Sequence, residues 1–144
     1  MAARATPLDD SLRAALLPLD AIRVAYFFGS RAKGGARPDS DVDIAVAFTR
    51  DASARAREDA RRAIVGAVTD ALGAIGERAD VVDLDAADSA VSFRAIKDGR
   101  LLFARTAEER VRAEVRVGRR YDDDAPKRAL FREAARAAAA RMGV

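Results

Sequence analysis

Two short apolar segments constrain this chain more than anything else in it. Val24-Ala25-Tyr26-Phe27-Phe28 is β-branched and aromatic and reads as a buried strand. Asp41 to Phe48 reads as a second strand, with Val42, Ile44, Val46 and Phe48 on one face. Between them lie Gly29-Ser30 and a loop, Arg31 to Ser40, holding Gly34, Gly35 and Pro38. The rest is rich in alanine and arginine, both strong helix formers. Leu12 to Leu17 reads as a short helix ended near Pro18. Ser53 to Leu72 reads as a long one, with Ile64, Val68, Leu72 and Ile75 at near-helical spacing and Gly73 and Gly76 closing it. Asp80 to Leu84 is a third strand, Ser89 to Asp98 a helix stopped by Gly99, and Leu101 to Phe103 a fourth strand. Thr106 and Glu109 form a capping box for a helix to about Val117. Asp124 and Pro126 open a last helix through Met142, with Leu130, Ala134, Ala138 and Met142 as its apolar stripe. This order predicts an α+β fold: a small mixed β-sheet flanked by helices, in one domain over 1–144 with a core of about 20–105 and a helical C-terminal extension, 106–144.

Composition narrows the chemistry. The 144 residues include no cysteine and no histidine, which excludes disulfides, thiolate metal sites and imidazole acid–base catalysis. A metal here needs oxygen ligands, favouring Mg²⁺, Mn²⁺ or Ca²⁺. No apolar run approaches the roughly 20 residues that span a bilayer, and the N-terminus lacks a signal core; the expectation is a cytoplasmic protein with no membrane partner. Charge is uneven. Residues 1–93 carry 12 basic and 15 acidic groups, whereas 94–144 carry 14 and 8. The basic third, with Arg112, Arg116, Arg119 and Arg120 close together, raises a nucleic-acid reading. An aromatic content of 6% leaves few stacking platforms, and solvated arginines on helix faces are the preferred reading.

The informative constellation is Gly29-Ser30, ten residues, then Asp41-Val42-Asp43. Residues i and i+2 of a strand point the same way, so Asp41 and Asp43 stand side by side. Two adjacent carboxylates repel, and the pair persists most easily with a cation or an edge open to water. Glycine lets backbone approach a phosphate and serine adds a hydroxyl donor; a helix starting there adds free N–H groups that favour an anion. Arg31, Lys33 and Arg37 add cations. The combination is the layout of a metal-bound triphosphate site, without the Walker pattern of P-loop enzymes.

The stretch from Phe27 through Val46, with Gly29-Ser30 and Asp41-Val42-Asp43, closely resembles the signature of the DNA-polymerase-beta-like nucleotidyltransferases, and more narrowly the minimal nucleotidyltransferase (MNT) group paired with HEPN toxins. Asp80 to Leu84 and Ile96 to Phe103 extend the resemblance to about residues 20–105. It implies that Gly29 and Ser30 hold the triphosphate and that Asp41 and Asp43 ligate Mg²⁺. A third acid completes such a site; Asp80, at the start of its strand, is preferred over Asp83, read as a strand-end residue facing water. Asp85 and Asp88 read as turn and cap. In the implied mechanism an acceptor oxygen attacks the α-phosphorus of ATP and pyrophosphate leaves, with Arg31 or Lys33 offsetting its charge. The implied acceptor is a tyrosine of a HEPN toxin, AMPylated by this chain as antitoxin. Transfer to a small molecule such as an aminoglycoside, and a non-catalytic binding antitoxin, are the alternatives. The oligomeric state stays open, and Tyr121-Asp122-Asp123-Asp124 reads as linker.

Overall fold

A computed structural model describes residues 6–34 and 40–143. Gly35, Arg37 and Pro38, which the sequence places in the loop, lie outside the described residues. The elements are α1 (Pro7–Leu16), β1 (Ile22–Phe28), β2 (Val42–Phe48), α2 (Ala54–Leu72), β3 (Ala79–Asp83), α3 (Ser89–Asp98), β4 (Arg100–Ala104), α4 (Ala107–Asp123) and α5 (Ala125–Arg141), with a 3₁₀ segment, Gly73–Arg78, before β3. The sheet order is β3-β2-β1-β4. β1 pairs antiparallel with β2 and β4, and β2 pairs parallel with β3, so the sheet is mixed as expected.

Both sheet faces are covered. Ala25 and Phe27 of β1 and Val42, Ile44, Val46 and Phe48 of β2 pack beneath Leu12 and Leu16 of α1 and Ile64 and Val68 of α2. Val24, Tyr26, Ala45, Ala47 and Val82 face Ala95 of α3 and Ala113 and Val117 of α4. That two-sided burial is why β1 and β2 read as almost unbroken apolar runs.

Local signals set most boundaries. Ser53 accepts from the Ala56 N–H at 3.1 Å and caps α2. Gly73 ends α2 with φ of 66°, a conformation glycine adopts without penalty. Asp88 caps α3 by accepting from the Ala90 N–H, and Thr106 caps α4 through the Glu109 N–H.

Four expectations need correction. α1 begins at Pro7, not Leu12: the Thr6 hydroxyl accepts from the Asp9 N–H at 3.2 Å and Pro7 occupies the first turn, an N-terminal signature that outweighs the short apolar spacing. Ile75 is 43% exposed, because the chain leaves α-helical geometry at Gly73. α4 runs to Asp123 rather than Val117, so Tyr121 to Asp123 are its last turn and not linker. Asp124 gives α5 no side-chain cap; its carboxylate accepts from the Ser89 hydroxyl at 2.5 Å instead.

One arginine joins three parts of the fold. Arg100, at the start of β4, donates to both Asp9 carboxylate oxygens at 2.8 Å. It also donates to the Ala32 carbonyl and sits 5.5 Å from the Phe27 ring centre. The Asp9 and Arg100 side chains are only 8% and 20% exposed. The contact locks α1, β4 and the loop after β1 together. Removing one partner of a buried pair strands the other's charge. Arg100→Leu is therefore expected to lower the unfolding free energy in urea by about 3 kcal/mol. Asp9→Asn/Arg100→Leu should lose less than Arg100→Leu alone, since no buried charge is left without its partner.

Candidate active site

Strand register builds the site. Across β1, β2 and β3, Phe28 is opposite Asp43 and Asp43 is beside Asp80. Asp41 lies just before β2, two residues from Asp43 and exposed, as is Asp80. Asp43 and Asp80 lie side by side at the end of the sheet where β1 delivers Gly29, with Asp41 just before Asp43. A β-carbon at Gly29 would sit 2.0 Å from an Asp43 carboxylate oxygen, and the Gly29 φ is +83°. A side chain at position 29 would therefore be strained in its backbone and would have to push the Asp43 carboxylate aside.

The Asp43 carboxyl is raised to about 6, first by burial, then by the charges of Asp80 and Asp41. No side-chain donor or ion pair relieves it among the described residues. Among the described residues no three carboxylates lie close enough to hold an ion without moving. As a donor set, carboxylate oxygens with no nitrogen or sulfur fit a hard divalent cation such as Mg²⁺.

A cleft of about 390 Å³ opens beside the acids, lined by Phe28, Gly29, Ser30, Lys33 and Asp43 on one side and by Val91, Arg94 and Asp98 of α3 on the other. Ser30 is exposed to it. Residues 30–34 form turns, with the Lys33 N–H on the Gly29 carbonyl at 3.2 Å, and not a helix start among the described residues. The predicted phosphate contacts separate here. Lys33 faces the cleft, 3.9 Å from Asp98. Arg31 instead donates to the Ser40 carbonyl at 2.8 Å, bracing the loop across its base.

Asp83 corrects an expectation. It is 8% exposed rather than facing water. Arg57 donates to it at 3.0 Å and the Asp85 N–H at 2.9 Å, so its charge is neutralised within the fold. The register brings Asp80, and not Asp83, beside Asp43. Asp88 is the α3 cap as read, and Asp85, in the turn after β3, pairs with Arg116 at 2.9 Å. Sequence reasoning missed Arg94. It is exposed in the cleft with no ion pair among the described residues. Its spacing from Val91 and Asp98 on one face of α3 is the signal that could have found it.

The family model for polymerase beta nucleotidyltransferases matches residues 12–108. The chain belongs to that family. Solved structures share the fold. A chain of a toxin–antitoxin crystallised with AMP-PNP superposes with a TM-score of 0.68 at 22% identity, over 88% of this nucleotidyltransferase and 97% of that chain. A chain from the tri-AMPylated Shewanella oneidensis HEPN toxin in complex with MNT antitoxin gives 0.59 at 20%, over 88% and 98%. One from the toxin–antitoxin MntA–HepT gives 0.60 at 20%, over 88% and 96%. No curated protein matches the sequence. None of the described helices is long and apolar enough to cross a membrane.

The raised Asp43 carboxyl makes stability depend on pH. Between the ordinary 3.8 and about 6 the folded nucleotidyltransferase holds a proton that the unfolded chain has released. Stability from this group therefore falls as pH rises through that window. In chelator-containing buffer, Asp43→Asn should raise the unfolding free energy near pH 7.5 by on the order of 1 kcal/mol, after discounting for solvent screening. The gain should vanish below about pH 4, where the wild-type carboxyl is also neutral.

Proposed function

We propose that this nucleotidyltransferase transfers AMP from ATP to a hydroxyl of a partner toxin of the HEPN type, and so acts as an antitoxin. The observation that carries the reading is Asp43 against Gly29, with Asp80 in register beside it and Asp41 two residues before it, on a cleft that also holds Ser30, Lys33 and Arg94. The toxin and ATP are inferred from the solved relatives, one with AMP-PNP and one with an AMPylated HEPN toxin.

Asp41, Asp43 and Asp80 would hold Mg²⁺, which when bound supplies neutralisation of phosphate charge and Lewis acidity. Asp43, with its depressed acidity, is the group whose ionisation such an ion most favours. Gly29 leaves room for phosphate oxygens against the backbone and Ser30 donates its hydroxyl to them. Lys33 and Arg94, one from each wall, face the β- and γ-phosphates and orient pyrophosphate as leaving group. The acceptor oxygen forms its bond to the α-phosphorus while the bond from that phosphorus to the bridging oxygen breaks. The acceptor proton passes to the exposed Asp80 carboxylate. Nothing in the cleft needs a histidine, and the chain has none.

The test is incubation with α-labelled ATP, Mg²⁺ and the protein encoded beside it. Wild-type chain should move label onto that protein, and Asp41→Asn should lose at least about a hundredfold in rate while folding normally. Arg94→Ala should raise KM for ATP by about tenfold, the loss of one charge-assisted contact. Near-normal turnover by Asp41→Asn would remove the site assignment. A stable complex without label, with either form, would leave a binding antitoxin.

A further inference from the structure

Helix α5 is anchored at one end and bare along its length. Its seventeen residues include none that is buried. Leu130, Phe131 and Met142 are 67%, 71% and 76% exposed. By helical spacing they share one side with Ala134 and Ala138, so the apolar stripe expected from sequence exists, with none of α5 buried among the described residues. The base, in contrast, is fixed. Tyr121 stacks on Phe93 with ring centres 4.0 Å apart and planes 13° from parallel. Arg128 lies 3.5 Å from the centre of the Tyr121 ring, on α5's first turn, and Ser89 is bonded to Asp124. A cleft of about 580 Å³ opens there, its lining including Ser89, Tyr121, Lys127 and the exposed Phe131.

Charge identifies what covers this face. α5 has five basic residues against one acidic. Lys127, Arg132, Arg136 and Arg141 have no ion pair among the described residues. A second copy of so basic a helix would be repelled. A bilayer surface is a poor match, because interfacial helices bury several bulky apolar side chains and Trp, whereas this helix offers mostly alanine. An acidic protein surface with an apolar centre complements both features.

We propose that α5, with the cleft at its base, is the docking site for the partner protein, and that the partner's matching surface is acidic around an apolar anchor seated in that cleft. The inference rests on the partner reading above and adds where and by what chemistry the partner binds. The location suits the reaction. The N-terminal end of α3, Asp88 and Ser89, borders the docking cleft, and Val91, Arg94 and Asp98 of the same helix line the candidate nucleotide cleft. Ser89 and Arg94 are five residues apart, about 8 Å along a helix. The docking cleft and the candidate nucleotide cleft are therefore joined by one helix. The family match ends at residue 108, so α5 lies beyond the matched span.

The test uses the full chain and the purified protein encoded beside it, by calorimetry and by initial rates. Leu130→Glu/Phe131→Glu removes the apolar face, and Arg132→Glu/Arg136→Glu reverses the charge; no buried residue is touched. Each is expected to weaken the Kd for the partner by at least about tenfold and to raise KM for it. Affinity for ATP and kcat at saturating partner should be unchanged. Binding by wild type should weaken from about 50 mM to about 300 mM salt, and less so for the charge-reversed chain. Wild-type Kd in both variants would overturn the docking proposal and leave the partner reading standing. Failure of wild type itself to bind, with ATP binding intact, would overturn both. Sedimentation with vesicles of one-third phosphatidylserine, lost in Leu130→Glu/Phe131→Glu and not reversed by the partner, would also overturn it in favour of a membrane surface.

Discussion

An aspartate pressed against a glycine, with another aspartate in register beside it and a third two residues away, is not an arrangement that folding favours. Burial and like charge raise the Asp43 carboxyl to about 6, which means its ionised form strains the fold at neutral pH. The strain is held in place by the best-packed part of the molecule. Asp43 follows Val42 and precedes Ile44 and Val46, all fully buried, and β1 and β3 fix its register on both sides. The Asp43 backbone cannot leave that position unless β2 slips, and a slip of one residue would turn the apolar side chains of β2 to the wrong faces. The same register sets Asp43 against Gly29, where a side chain would be strained. Stability lost at the site is thus what makes it receptive to positive charge.

What the sequence revealed follows from the range of the interactions involved. Alternation in β2, the Gly29-Ser30 turn, and the caps at Ser53, Asp88 and Thr106 are local, written within a few residues, and the structure has them. So is the pairing of Asp41 with Asp43. The choice between Asp80 and Asp83 as neighbour of Asp43 is not local, since it depends on how β3 registers against β2. Asp83 looked solvent-facing because its partner Arg57 is 26 residues away, on α2. Arg94 looked like one more arginine on a helix until α3 was placed across from Gly29. The roles given to these residues rest on chemistry and family, but their positions rest on the sheet.

The arginines show the same limit from the other side. Solvated helix faces were the preferred reading for the basic C-terminal third. Several of them instead close gaps in the fold. Arg105 donates to the carbonyls of Leu17, Leu19 and Ile22, tying the turn after α1 to the end of β4. Arg120 reaches the carbonyls of Leu84 and Ala87, and Arg116 pairs with Asp85 in the same turn. Apart from Ile22, at the start of β1, these carbonyls belong to connecting segments with few ladder partners, and the planar five-donor guanidinium serves several of them at once. Arg116 and Arg120 were half of the cluster that suggested nucleic acid. Their turning inward weakens that suggestion by geometry.

α5 then stands out by contrast. Arg100, Arg105, Arg116 and Arg120 are spent on the fold, whereas Arg132, Arg136 and Arg141 of α5 make no ion pair among the described residues. A solvated helix needs neither Phe131 nor Leu130 at its surface, and a buried helix would not carry four unpaired cations beside them. The two features suit a surface that is apolar in the middle and acidic at the rim, the ordinary anatomy of a protein interface. Tyr121, stacked between Phe93 and Arg128, sets the angle at which that helix leaves the fold. The aromatic that read as linker is thus the packed base of α5.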